Sequence, residues 1–425
     1  MNKEIFISLV LKGLNILINL LSIPLIINYL GSESYGVYIT FSSFLGIGSI
    51  LDFGLGDNLR LGISKNYHKE NLESLRVLIS TTYVFMSIIG VLSLIVFLLI
   101  EVTLGWESLL NVNQAITHEI RVFVIVTVVI YSVKSVLGLI HRIFLGLKLA
   151  NNSTALSLIS SIVSYLTVLL VLENFNSSLI NYSLFVGIFE LVLLSLFSLY
   201  FFHKEWNSFK PSFEYVRFKN TRLFQSKFYY FVLSLTGFLV LNTDNFLISH
   251  IFSPSDVSTY YIAFKLFNIS SIIFTVIQLP IFANYTERYL IEDFDWIRTI
   301  NRRLFIIWLG LSLLILIILF FSQEIIQLWF GGAVSVSKEL CVTMAIYFII
   351  REYKSISSLF LSGIGKLKIL SINATISTVT NIPLSFLFAI YFDMGLKGVI
   401  LGTIVSIIPE LIFNQIQYYN LINRT

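Results

Sequence analysis

Runs of about 20 mostly apolar residues recur almost end to end along this 425-residue chain, separated by short polar breaks. A run of that length is what crosses a bilayer as a helix. The pattern predicts twelve spans, at 4–30, 35–60, 77–101, 118–141, 149–172, 179–202, 228–251, 258–285, 303–322, 340–361, 368–392 and 395–420. The longest polar interval, from His203 to Lys227, is too short to enclose a core, because domains start at roughly 50 residues. The expected fold is therefore all-α and polytopic, with a six-helix lobe over 1–203, a cytoplasmic linker over 204–227 and a second six-helix lobe over 228–425. Two lobes that both start on the same side form a parallel pseudo-repeat, expected to surround a central cavity.

Composition agrees with the pattern. At 56% hydrophobic and 12% charged residues, with a mean hydropathy of +0.86, the chain carries more apolar surface than one soluble core could bury. The apolar run from Ile5 to Leu30 carries Lys12 inside it and no small-residue cleavage pattern before Gly31, so it reads as an uncleaved first span. With both termini placed in the cytoplasm, roughly twenty lysines and arginines fall inside, and only Arg121, Lys338 and Lys397 fall outside. That asymmetry fixes the expected orientation, since basic residues resist translocation. The net charge of +4 is then a topology signal and implies no nucleic acid as partner; anionic membrane lipids fit it better.

Little covalent or metal chemistry is available. Cys341 is the only cysteine, and His68, His118, His141, His203 and His250 show no ligand spacing, so neither a disulfide nor a metal site is expected. A weak internal echo links the two halves. Glu33 and Asp256 each sit in a short acidic turn, followed by Tyr35 to Tyr38 and by Tyr260 to Tyr261, although an interfacial tyrosine belt gives the same pattern.

The charges buried in the spans are the strongest functional signal, because each costs at least about 2.5 to 3.5 kcal/mol at bilayer depth and must face protein or water. The cations are Lys12, Lys134, Lys265, Arg351 and Lys354, and the acids are Asp52, Glu190, Asp244, Glu352 and Glu410. Ser8, Lys12, Asn15, Asn19 and Ser22 are spaced by four, three, four and three, which stacks them on one helix face. Arg351, Ser355, Ser358 and Ser362 repeat the device, with Lys354 one turn before Ser358, and Lys134, Gly138 and His141 form a third group. Counted at about 1.5 Å per residue, Lys12 and Lys134 fall in the cytoplasmic half, Arg351 near the middle and Lys265 in the outer half. A ladder of cations from both lobes suits an anionic group such as phosphate. The bland alternatives are polar helix packing and an internal ion pair of Arg351 or Lys354 with Glu352 or an acid on another helix. Glu190, Asp244 and Glu352 are candidates for coupling, since a buried carboxylate can take up a proton or Na⁺ in one state and release it in another. Asp52 and Asp57 read as helix caps or partners of Arg60. Pro24, Pro280, Pro383 and Pro409 lie within spans, where each permits a kink.

The run Leu51 to Arg60, with Asp52, Phe53 and Gly54 at its heart, resembles the signature of the polysaccharide flippase family. These are the Wzx-type O-antigen and repeat-unit transporters of the multidrug/oligosaccharidyl-lipid/polysaccharide exporter superfamily. Leu30-Gly31, Tyr35-Gly36 and Leu328 to Gly332 are similar to that family too, and the resemblance covers the whole chain in length, helix count and loop pattern. It implies a bacterial inner-membrane flippase for oligosaccharide repeat units carried on undecaprenyl diphosphate, working by alternating access in surface polysaccharide biosynthesis. It also implies no enzyme activity and no cofactor beyond H⁺ or Na⁺ coupling. Polysaccharide polymerase and chain-length proteins are the partners it suggests. The site residues expected to hold diphosphate or sugar are Lys12, Asn15, Asn19, Lys134, Lys265, Arg351 and Lys354. Fourteen-helix lipid II flippases match less well, since two helices and an arginine cluster are missing. Two rivals stand: a cation-coupled multidrug antiporter of the same superfamily, whose cavities are chiefly apolar and acidic, and a membrane polysaccharide polymerase, which usually carries a long charged outer loop.

Overall fold

A computed structural model describes residues 3–48, 54–67, 72–112, 114–205, 210–216 and 228–422. Asp52 and Phe53 of the family-like motif, and most of the linker, lie outside the described residues. Helices account for nearly all of the rest. Unit 1, Met1–Lys227, holds α1 (Lys3–Gly48), α2 (Leu55–Tyr67), α3 (Leu72–Thr103), α4 (Trp106–Leu109), α5 (Gln114–Leu137), α6 (Leu139–Gly146), α7 (Ala150–Leu166) and α8 (Leu179–Tyr200). Unit 2, Phe228–Thr425, holds α9 (Phe228–Ile251), α10 (Pro254–Leu290), α11 (Phe294–Phe320), α12 (Ser322–Phe330), α13 (Lys338–Gly363), α14 (Leu367–Phe386) and α15 (Gly395–Ile422).

Among the described residues, ten helices are long and apolar enough to cross a membrane. One of them, Ile7–Gly46, runs for 40 residues, about twice what a bilayer needs. It contains Gly31 at φ 78° and ψ 163°, a conformation that leaves the helical region and that a side chain would resist. The first and second spans therefore meet at a single glycine, where the pattern predicted a four-residue turn. α13 matches the predicted tenth span, but its Arg351, Glu352 and Lys354 keep it from standing out by hydropathy alone. Leucines and phenylalanines such as Leu99, Leu199, Leu313 and Phe320 are exposed on the outer helix faces; on a multi-pass membrane protein these are the lipid-facing surface.

Each unit has its own core. In unit 1, Phe41, Phe97, Phe123 and Trp106 pack edge to face or stacked at 5.1 to 5.7 Å, and the Trp106 indole N–H donates to the Phe97 carbonyl at 3.1 Å. In unit 2, Tyr285, Trp296, Phe360 and Tyr418 form the matching cluster. The closest helix pair is α14 with α15. A Cβ at Gly402 would lie 2.4 Å from the Ser385 backbone nitrogen, and one at Gly398 would lie 2.6 Å from that of Ala389, so small residues let the two backbones touch.

Two expectations need correction. The ninth span begins at Phe294, not 303: Asp293 caps it by accepting from the Trp296 N–H at 3.1 Å, which places Arg298, Arg302 and Arg303 on the helix and not in a loop. Asp57 sits in the first turn of α2 and pairs with Arg142 at 2.9 Å, not with Arg60, because α2 packs against α6.

Candidate functional site

The intramembrane cations fall into distinct settings. In unit 2, Arg351 and Lys354 of α13 line one cavity of about 390 Å³, together with Tyr347, Ser355, Ser358 and Ser362 of the same helix, Thr236 of α9, Thr378 of α14 and Glu410 of α15. The spacing of Arg351, Ser355, Ser358 and Ser362 along α13 is what turns all four to one side. Lys354 Nζ donates to Glu410 Oε2 at 2.8 Å. Arg351 has no carboxylate within ion-pair distance among the described residues; its guanidinium lies 3.4 Å from Ser271 Oγ and within 5.6 and 6.0 Å of the Phe348 and Tyr347 ring centres. The charged residues lining this cavity therefore sum to one net positive charge.

Unit 1 carries a related arrangement. Lys134 of α5 lies 2.7 Å from Glu190 Oε1 of α8, and the two line a cavity of about 260 Å³ with Tyr38, Tyr131, Tyr182 and Ser183. In both pairs lysine and glutamate stand 56 residues apart in the chain. Glu410 was recognised in the sequence as an intramembrane acid but was not assigned to the site. The signal that finds it is that shared spacing. The cavity in unit 1 is electrically balanced, and its remaining lining mixes Tyr38, Tyr131 and Tyr182 with small polar and apolar residues.

The other expected site residues sit elsewhere. Lys12 is half-buried on α1 and makes no ion pair among the described residues. Asn15 and Asn19 are joined to each other and to Ser161 of α7 at 2.6 to 3.1 Å, so their amides hold α1 against α7. Lys265 of α10 lies over the Tyr261 ring at 4.9 Å and lines neither cavity. His141 does not join Lys134; its Nδ1 meets the Ser153 hydroxyl at 3.0 Å, because α5 ends at Leu137 and α6 starts a new helix.

Two of the three acids considered for coupling are buried without a direct ion pair among the described residues. Asp244, 3% exposed, accepts from the Tyr260 hydroxyl at 2.5 Å and from Thr403 at 3.2 Å. Thr403 in turn accepts from Asn381 Nδ2 at 2.8 Å, while Asn381 Oδ1 has no partner. Helices α9, α10, α14 and α15 thus meet at one polar knot. Glu352 makes no direct ion pair with Arg351 or Lys354 among the described residues; its Oε1 accepts from Ser270 at 2.5 Å and from Ser271 at 3.2 Å, the Ser271 hydroxyl standing between it and the Arg351 guanidinium, and its Oε2 has no hydrogen-bond partner among the described residues. The ion pair expected for Lys354 is thus made with Glu410 and not with Glu352. Glu190 differs from both acids in being half of an ion pair.

The family model described as polysaccharide biosynthesis protein matches residues 1–286, and the MatE model matches residues 231–387. A Yersinia pseudotuberculosis protein provisionally named an O-antigen export protein is 26% identical over 92% of this chain and 89% of its own length. A Salmonella typhi protein provisionally named an O-antigen transporter is 22% identical over 95% and 92%. Among solved structures, an inward-facing multidrug resistance MATE family transporter of the MOP superfamily superposes with a TM-score of 0.78, at 16% identity and over 98% of each chain.

Proposed function

Because the chain belongs to the polysaccharide biosynthesis protein family, we propose that it is a flippase that carries oligosaccharide repeat units linked to undecaprenyl diphosphate from the cytoplasmic to the outer leaflet of the bacterial inner membrane. The observation that carries this reading is Arg351, an intramembrane guanidinium that lines a cavity of about 390 Å³ and has no carboxylate in direct ion-pair contact among the described residues. A charge kept at such depth against a cost of about 2.5 to 3.5 kcal/mol needs a counter-charge that comes and goes, and a diphosphate supplies it. The names of the Yersinia and Salmonella relatives point the same way.

In this reading the diphosphate is drawn from the cytoplasm by Lys12 and Lys134. Its charge competes with Glu190 for Lys134 and with Glu410 for Lys354, and Arg351 and Lys265 receive it next, while the polyprenyl tail stays in lipid. A partly hydrated, low-dielectric cavity strengthens each of these attractions over bulk water. Asp244 and Glu352, buried without a direct ion pair among the described residues, are the groups that would take up H⁺ or Na⁺ as the helices α9, α10, α14 and α15 shift. The basic-residue asymmetry supports a cytoplasmic location for both termini in this reading.

The MatE match over 231–387 favours a second reading, a cation-coupled multidrug antiporter. Against it, a cavity with one net positive charge repels cationic drugs. The two readings separate in one experiment. Replacing Lys12, Lys134 and Arg351 together by alanine should abolish surface polysaccharide while the protein stays in the membrane. Full surface polysaccharide in the triple variant, or drug resistance conferred by the native chain in a strain that makes no polysaccharide, would end the flippase reading.

A further inference from the structure

A groove of about 440 Å³ lies on unit 2 apart from the cavity of Arg351, with walls from α11 and α15 and a floor from α13. Arg298, Asn301, Arg302 and Phe305 of α11 line it, facing Tyr353 of α13 and Tyr418 of α15. The spacing of 298, 301, 302 and 305 is one helix face. No carboxylate lines the groove among the described residues. Asp295 stands at the rim, where it accepts from Arg298 at 2.9 Å, and a second guanidinium nitrogen of Arg298 donates to the Ile422 carbonyl at 3.2 Å. Arg302 is exposed and makes no ion pair among the described residues. Asn301 is 7% exposed; its Oδ1 accepts from Tyr285 at 2.7 Å, and its side chain also bonds to Tyr418.

A guanidinium without an ion pair, opening beside a second one on a groove that no carboxylate lines among the described residues, is a donor set for an anion. Depth says which anion. From Phe294 to Arg303 α11 is rich in charge, whereas from Leu304 to Phe320 it is almost wholly apolar, with Phe305, Ile306, Leu309, Leu313, Leu316 and Phe320 exposed to lipid. The step at Arg303/Leu304 marks the boundary between headgroups and acyl chains. The groove straddles that boundary, with guanidinium on one side and Phe305 and Ile356 on the other.

We infer that this groove holds one anionic phospholipid, its phosphodiester on Arg302 and Arg298 and the start of an acyl chain along Phe305. A zwitterionic headgroup fits worse, because its ammonium would face two guanidinium groups. The site is independent of the transported substrate and of the flippase reading.

The test is native mass spectrometry of the full-length protein in detergent, titrated with dioleoylphosphatidylglycerol or dioleoylphosphatidylcholine. The expected result is a first phosphatidylglycerol adduct that Arg302→Gln weakens about fivefold, the size of one basic residue's attraction to an anionic headgroup. Arg303→Gln, on the same turn and with the same change in net charge but outside the groove, should leave it unaltered, and Arg302→Lys should restore part of it. Equal weakening by both glutamine variants, or equal retention of phosphatidylcholine, would overturn the inference. So would displacement of the lipid by millimolar inorganic phosphate or by an equimolar polyprenyl diphosphate, since the ligand would then be a free anion or the cargo.

Discussion

The two units solve one electrostatic problem in different ways. Each places a lysine and a glutamate in the membrane, 56 residues apart in sequence and 2.7 to 2.8 Å apart in space. In unit 1 the pair is open, with 45% of the lysine and 20% of the glutamate side chain exposed; in unit 2 those values are 20% and 7%. A pair that is open to water is loosely held, whereas one that is more enclosed is held firmly, and losing a partner there leaves a charge that water cannot reach. Unit 2 then adds Arg351 where unit 1 has the tyrosine-lined wall of Tyr38, Tyr131 and Tyr182. The difference teaches that a lysine–glutamate pair alone leaves a membrane cavity polar but without net charge. The surplus cation is what makes a cavity selective for an anion.

The sharpest way to break this comparison is to remove the surplus. Arg351→Ala should lower polysaccharide export by about tenfold or more, the loss expected for a hydrogen bond to a charged group. Tyr131→Ala in the balanced cavity should lower it only about threefold, in line with the size of an aromatic contact. Export measured in cells with matched membrane levels decides, and equal losses would mean that the two cavities do the same work.

Packing distinguishes the units next. A methyl group at Gly402 meets the Ser385 backbone at 2.4 Å, while one at Gly187 meets only side-chain atoms of Ile130, at 2.6 and 2.7 Å, which can shift more readily than a backbone. Gly402→Ala should therefore destabilise the protein by about 1 to 3 kcal/mol and Gly187→Ala by clearly less. Detergent-solubilised thermal unfolding will show whether the order holds.

A smaller effect tests whether the polar face of α1 serves packing. Asn15→Ala removes its acceptor from Asn19 and Ser161 and should cost about 0.6 kcal/mol, an average interhelical hydrogen bond in membranes. Loss of export without loss of stability would instead assign Asn15 to the cargo.

The smallest expected effect lies outside the membrane. A hydrogen bond from Lys397, and then its charge, hold the Glu339 carboxyl below the usual carboxylate range. The resulting stabilisation is present above the ordinary carboxylate pKa and is lost as pH falls through the lowered folded value. Melting temperatures of the native protein and Glu339→Gln should differ slightly near neutral pH and converge in acid. A gap that persists in acid, or that high salt leaves untouched, would rule out the ion pair as its cause.

Much of this was legible from residues alone. The apolar runs located the helices because lipid tolerates few other backbones, and the scarcity of charge in those runs made Lys134, Arg351, Lys354, Asp244 and Glu352 stand out. The pattern misplaced the start of α11, since a cap at Asp293 and three arginines on one helix look like a loop when read by hydropathy. It also could not see that Gly31 alone separates two spans, because the turn is made by a backbone angle and not by a polar run.

By itself, then, the sequence determined which apolar helices carry charged side chains and where along each helix they fall, for position along a helix of fixed rise follows from residue number. Which charge meets which was decided only by the tertiary structure. Glu352 sits beside Arg351 and two residues from Lys354 in the chain, yet it bonds to serines on α10, and Lys354 reaches Glu410 on α15. Neighbours one or two apart on a helix point to different faces, so the partner of each charge belongs to whichever helix packs on its side, and that is a property of three dimensions.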